Sequence, residues 1–130
     1  MKVLALDYGS ARTGVAVSDP TGTIARPLCV VESAARDEGL RRLAELVRAE
    51  AAEEVVVGLP LTLRGERGEQ ARETERFVEA LRAVVDVPVV TFDERFTTAL
   101  AAATPAAAHE DARAAAHLLS SYLAWSSAPA

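Results

Sequence analysis

The first 32 residues leave no room for a helix between strands. Residues 3–8 (VLALDY) open with an unbroken apolar run, the pattern of a central strand covered on both faces. Residues 13–18 (TGVAVS) alternate, as a half-exposed strand does. Residues 23–32 (TIARPLCVVE) read as a third strand in which Pro27 marks an edge or a bulge. One connection is Gly9 with the SAR stretch. The other is Asp19-Pro20-Thr21-Gly22, where Pro presets φ and Gly supplies φ > 0. Such short turns favour reversal of the chain, because a parallel connection needs a crossover of a dozen residues or more. The expectation is an antiparallel meander.

The period then changes. Leu40, Leu43, Leu46 and Val47 share one face of a helix over roughly 37–51, with Asp37 and Glu38 in the first turn, where the helix dipole favours negative charge. Residues 54–59 (EVVVGL) form a short strand. After the loop PLTLRGERG a second helix spans about 69–85, with Phe77, Val78, Leu81 and Val84 inward. Residues 87–92 (VPVVTF) make a fifth strand, and a short helical piece is expected at 97–103. A last helix runs from about 110 to 124, with Ala112, Ala115, Ala116, Leu119 and Leu123 on one stripe. Each late strand follows a helix, so both add parallel to the sheet by right-handed crossovers. The reading is one α/β domain over 1–130: a mixed five-stranded sheet, three antiparallel strands then two parallel, flanked by helices.

Asp7 closes the first apolar run with no polar residue before it. Burying an unpaired carboxylate there costs several kcal/mol unless something compensates it. Asp93 and Glu94 close the fifth strand in the same way, and Asp111 begins the last helix. With strands one and four adjacent and strand five beyond, these distant acids converge at one end of the sheet. Clustered carboxylates raise one another's pKa, and a divalent cation relieves the repulsion. Mg²⁺ or Mn²⁺ suits such oxygen donors and admits phosphodiester cleavage without a histidine base or a nucleophilic serine. Each acid taken alone also fits a structural role: Asp7 as a cap for backbone N–H groups, Asp111 as a helix-start residue, Asp93-Glu94-Arg95 as a surface loop.

Composition narrows the alternatives. The chain has 130 residues, 50% hydrophobic and 25% charged, with a net charge of −5, which disfavours a purely electrostatic polyanion binder. Cys29 is the single cysteine, so an intrachain disulfide and multi-cysteine zinc patterns are excluded, and it reads as a buried strand residue. Asp7 interrupts the first apolar stretch too early for a signal peptide, and no apolar run approaches the ~18 residues of a spanning helix. The expectation is a cytoplasmic protein with no membrane partner.

LALDYGSARTGVAVSDPTGTIARPL, VVVGLPLTLRGERG, TFDERFTT and EDARAAAHLLSSYL together resemble the YqgF/RuvX family, in the family's order and over nearly the whole chain. The resemblance implies an RNase H-like fold close to the resolvase RuvC. It also implies a metal-dependent nuclease that matures the 5′ end of pre-16S rRNA, or alternatively resolves Holliday junctions in DNA. By position, Asp7, Glu94 and Asp111 match the catalytic, metal-holding acids. Asp93 also lies in the motif, but neighbouring strand-end residues point to opposite sides, so Asp93 and Glu94 should not both face a metal. Arg12, Arg95, Thr97 and Thr98 match positions that touch the nucleic-acid backbone, and arginine grips a phosphate bidentately. Arg12 and Arg95 fit equally well as ion-pair braces for an acid of the site.

One departure stands out. Family members usually carry lysine or arginine just before the last acid, whereas ATPAAAHED here has none and leaves His109 as its one titratable side chain before the acids. That favours a rival class, a non-cleaving nucleic-acid module; the retained acids argue against it. Asp7, Gly9 and Gly14 also fit the first phosphate loop of the sugar-kinase/actin ATPase fold, but that fold needs two related domains. Partners are therefore precursor rRNA, or branched or single-stranded DNA. Symmetric cutting of a junction would further require a homodimer.

Overall fold

The computed structural model describes residues 1–62, 64–96 and 107–126. Its strands are β1 Val3–Asp7, β2 Arg12–Ser18, β3 Ala25–Glu32, β4 Glu54–Leu59 and β5 Val89–Asp93. Its helices are α1 Asp37–Ala49, α2 Glu69–Arg82 and α3 Ala107–Ser126. The strands form one sheet in the order β3-β2-β1-β4-β5. β1 pairs antiparallel with β2 and β2 with β3, while β4 joins β1 and β5 joins β4 in parallel. The meander and both parallel additions are present, with β1 at the centre.

Alternation along the central strands divides the core in two. Leu4 and Leu6 of β1, with Val55 and Val57 of β4, pack under Leu43, Phe77 and Leu81 of α1 and α2. Val3, Ala5 and Val56 face the other way, against Ala115, Leu118 and Leu119 of α3. Each fully buried valine, leucine or phenylalanine among them contributes about 1.5–3 kcal/mol, each alanine less. The small residues of α3 let the helix approach the sheet closely, which matters at its first turn.

The edge strand carries the predicted irregularity. Its register with β2 passes from Val15↔Cys29 to Ala16↔Pro27, leaving Leu28 as the extra residue of a bulge. Pro27 lacks the N–H that a central strand would need. Cys29 lies in this strand but is half-buried rather than buried, because no strand covers the outer side of β3. Val84, expected inward on the second helix, is 41% exposed. The helix stops at Arg82, two residues earlier, and Val84 lies in the turn that follows. The helical piece expected at 97–103 lies outside the described residues. Among the described residues no helix is long and apolar enough to cross a membrane.

Candidate active site

Asp7 ends β1 on the face covered by α3, in line with Val3 and Ala5. Glycines flank it in the sheet. Gly14 is its partner on β2, and Gly58 follows Val57, the partner of Leu6 on β4. Both make room for an acid from elsewhere. A Cβ on Gly14 would fall 1.8 Å from the carbonyl oxygen of Asp111, so the start of α3 rests directly on β2. A Cβ on Gly58 would fall 2.8 Å from Glu94 Oε1, so the Glu94 side chain lies over β4. Thr13, fully buried, shapes the turn beside Asp7: its hydroxyl donates to the Gly9 carbonyl at 3.3 Å and accepts from the Gly9 N–H at 3.4 Å.

Asp7 and Glu94 meet in a hydrogen bond, with Glu94 as the protonated partner. Burial, then the charge and hydrogen bond of Asp7, then the charge of Asp93 push the Glu94 carboxyl up to about 7. Burial also raises Asp7; the bond from Glu94 opposes this and the charge of Asp111 adds to it. Asp111 itself turns toward Arg12, whose Nε lies 3.2 Å from Oδ2. That approach is not aligned as a hydrogen bond, and among the described residues Asp111 Oδ2 is a buried acceptor with no donor. Two acids therefore touch, and the third stands within electrostatic reach but faces an arginine. Among the described residues no three His, Cys, Asp or Glu side chains converge closely enough to hold a metal as they stand. The touching Asp7 and Glu94 carboxyls, and an Asp111 oxygen with no hydrogen-bond donor, are nonetheless hard oxygen ligands, and they suit a divalent cation.

Asp93 points away from this pair. It takes the Arg95 amide N–H at 2.9 Å and the Arg95 guanidinium at 2.6–3.1 Å, which holds its carboxyl below the usual range. The same guanidinium lies against Gly65, where a Cβ would fall 3.2 Å from Nη1 and where φ is +79°. Arg95 thus braces the Glu94 turn against the loop after β4. Arg67 of that loop pairs with Glu75 at 3.1 Å. Thr97 and Thr98 lie outside the described residues.

A cleft of about 290 Å³ opens from Asp7 and Glu94 toward α2, with Tyr8, Gln70 and Glu73 on its walls. The Tyr8 ring stacks on Phe77 at 4.3 Å, and its hydroxyl donates to Glu73 Oε1 at 3.3 Å. The sequence reading missed this wall and the role of the two glycines. A glycine inside a strand marks a close approach of other atoms, so TGVAVS and EVVVGL did carry a signal. Nothing in the sequence links Tyr8 to a residue 65 positions away.

The sequence model of the family described as RuvX, Holliday junction resolvase, matches residues 1–125. The chain belongs to the RuvX family. Among its relatives, a protein of Roseiflexus sp. (strain RS-1) provisionally named a pre-16S rRNA nuclease is 44% identical over 100 residues, which cover 77% of this chain and 71% of that protein. A protein of the same provisional name from Rubrobacter xylanophilus is 54% identical over 98 residues, covering 75% and 68%. The structure of T. thermophilus RuvC in complex with Holliday junction substrate superposes with a TM-score of 0.62 at 20% identity, over 97% of this chain and 95% of that one. The RuvX chain therefore has the RNase H-like fold of RuvC.

The strained carboxyl pair has a measurable consequence. Native Glu94 binds its proton more tightly than the unfolded chain does, between its ordinary value near 4.5 and about 7. In that window the native state holds the extra proton, so the stability of the metal-free protein falls as pH rises through it. Because water reaches part of Glu94, the loss is about 1–2 kcal/mol, or roughly 5 °C in Tm. Calorimetry from pH 5 to 7.5 without divalent ions should show the drop in the wild type and a flatter profile in Glu94→Gln. Parallel profiles would refute the assignment.

Proposed function

We propose that this chain is a divalent-metal-dependent nuclease that hydrolyses phosphodiester bonds and trims the 5′ end of pre-16S rRNA in the cytoplasm. The observation that carries the reading is the protonated Asp7–Glu94 pair beside the orphaned oxygen of Asp111. Two buried acids pressed together at one sheet end, with a third within electrostatic reach, are poorly explained as structural groups. Asp7, Glu94 and Asp111 would hold Mg²⁺ or Mn²⁺. When bound, the cation lowers the pKa of an attacking water and offsets charge developing on the phosphodiester. Glu94 would give up its proton as a ligand, so loading would be favoured as pH rises. Asp111 would turn from Arg12 toward the cation. Arg12, half exposed at the mouth of the site, is then available to a backbone phosphate. Arg95 holds the Glu94 turn through Asp93. The water oxygen bonds to phosphorus, the bond to the leaving oxygen breaks, and the water proton passes to solvent or to the leaving oxygen.

Each copy carries one set of acids, which is enough to cut one strand of RNA. A four-way DNA junction needs two coordinated cuts and hence a homodimer. The test is incubation with Mn²⁺ or Mg²⁺ and two labelled substrates, an RNA spanning the precursor 5′ end and a four-way DNA junction. Metal-dependent cleavage of the RNA at the mature end is expected. Preferential cleavage of the junction would move the assignment to DNA. Metal-independent binding of both without cleavage would make this a non-cleaving module.

A further inference from the structure

The wall opposite the carboxylate pair has its own chemistry. Gln70 and Glu73 are three residues apart on the first turns of α2, so their side chains are neighbours on one face. Glu73 is anchored: the Tyr8 hydroxyl holds one carboxylate oxygen, and Tyr8 is fixed by its stack on Phe77 and by following Asp7 in the chain. Among the described residues Glu73 forms no ion pair. Arg76 also stands within electrostatic reach, but at the Tyr8 hydroxyl the Glu73 charge outweighs it, so this side of the cleft disfavours a phosphate. The wall calls for an uncharged group that donates a hydrogen bond to a carboxylate and accepts one from an amide N–H₂.

Nucleic acid offers such a group close to its backbone. The ribose 2′-hydroxyl is both donor and acceptor, and it is what lets a protein tell RNA from DNA at a given position. It also stays near the phosphate, whereas base edges lie farther out. The cleft of about 290 Å³ has room for a sugar beside the carboxylate pair. We propose that Gln70 and Glu73 bind the 2′-hydroxyl of a nucleotide adjoining the cleaved bond, so that the α2 wall selects RNA. The assignment deepens the nuclease reading and rests on it.

The test uses the full chain and single-stranded RNAs of the precursor sequence. In matched strands one 2′-hydroxyl is replaced by hydrogen, on either side of the cut. Wild-type kcat/KM with Mn²⁺ should favour the all-ribo strand by roughly 10- to 100-fold over one of the two, the effect of a hydrogen bond to a charged group. Glu73→Ala should bring that ratio close to one, and Gln70→Ala should reduce it. Glu73→Gln, which keeps the volume, should leave an intermediate ratio and guards against loss of folding. A wild-type ratio near one at both positions overturns the proposal, as does a ratio that survives Glu73→Ala. If the wild type cuts neither strand, the nuclease reading fails. The affinities of the same strands with Ca²⁺ then decide: a ribo preference lost in Glu73→Ala supports the wall, and equal or absent binding overturns it.

Discussion

Asp7→Asn should abolish cleavage without lowering Tm. A divalent cation contributes several kcal/mol of transition-state stabilisation, and each 1.36 kcal/mol is tenfold in rate, so kcat should fall by roughly 10³-fold or more. The expectation for stability runs the other way. Asp7 is buried beside Glu94 and within reach of the Asp111 charge, and its carboxyl is raised by burial and by that charge. Asparagine keeps the shape and a hydrogen-bonding group for Glu94 while removing the repulsion. At pH 7.5 the metal-free variant should therefore melt at or above the wild-type temperature. Mn²⁺ should stabilise the wild type, by about 2.7 kcal/mol at a hundredfold excess over Kd, and leave the variant almost unmoved. Single-turnover cleavage and calorimetry with and without Mn²⁺ check both halves. If Asp7 serves as a structural cap, the outcome inverts: Tm drops and activity tracks the folded fraction.

The arrangement of the site was partly legible in the chain. Short turns and the switch from strand to helix periods made the meander and the element order legible, whereas β4 beside β1 was an assumption, since a crossover could equally have set β4 beside β3; the structure puts it beside β1. Asp7 was conspicuous because a carboxylate closing a fully apolar strand has few inexpensive explanations. Alternation said only that Asp93 and Glu94 would not share a side, and the resemblance chose Glu94; the structure places Glu94 on Asp7 and Asp93 on Arg95. The partnerships of Arg12 and Glu73 were not legible, since side-chain pairs across distant segments leave no local pattern. Arg12 had two equal readings, phosphate contact or ion pair, and its 3.2 Å approach to Asp111 makes it a brace in this state. Val84 failed for a local reason. The apolar spacing continued past Arg82, but the helix ends there and Val84 falls in the turn that follows.

The two glycines beside Asp7 should respond differently to the same added methyl group. Gly14→Ala places its Cβ 1.8 Å from the Asp111 carbonyl oxygen, 2.3 Å from the carbonyl carbon and 3.0 Å from the Ala112 nitrogen. All three are backbone atoms of α3, and they cannot rotate away. The helix start must lift off β2, and Ala112 and Ala115 behind it lose their packing against the sheet. Overpacking against rigid backbone should cost about 3 kcal/mol or more, roughly 10 °C in Tm for a chain of this length. The same shift carries Asp111 away from Asp7, so the folded fraction that survives should be inactive as well. Gly58→Ala meets flexible side chains, Glu94 Oε1 at 2.8 Å and Leu118 Cδ2 at 3.1 Å. Those can swing aside, so its Tm should fall by only about 1–2 °C while Glu94 is displaced from Asp7 and cleavage drops at least tenfold. Comparing melting curves and rates for the two variants separates the glycine that seats the helix from the glycine that seats the acid. Equal losses of stability in both would mean that α3 does not rest on Gly14 as described.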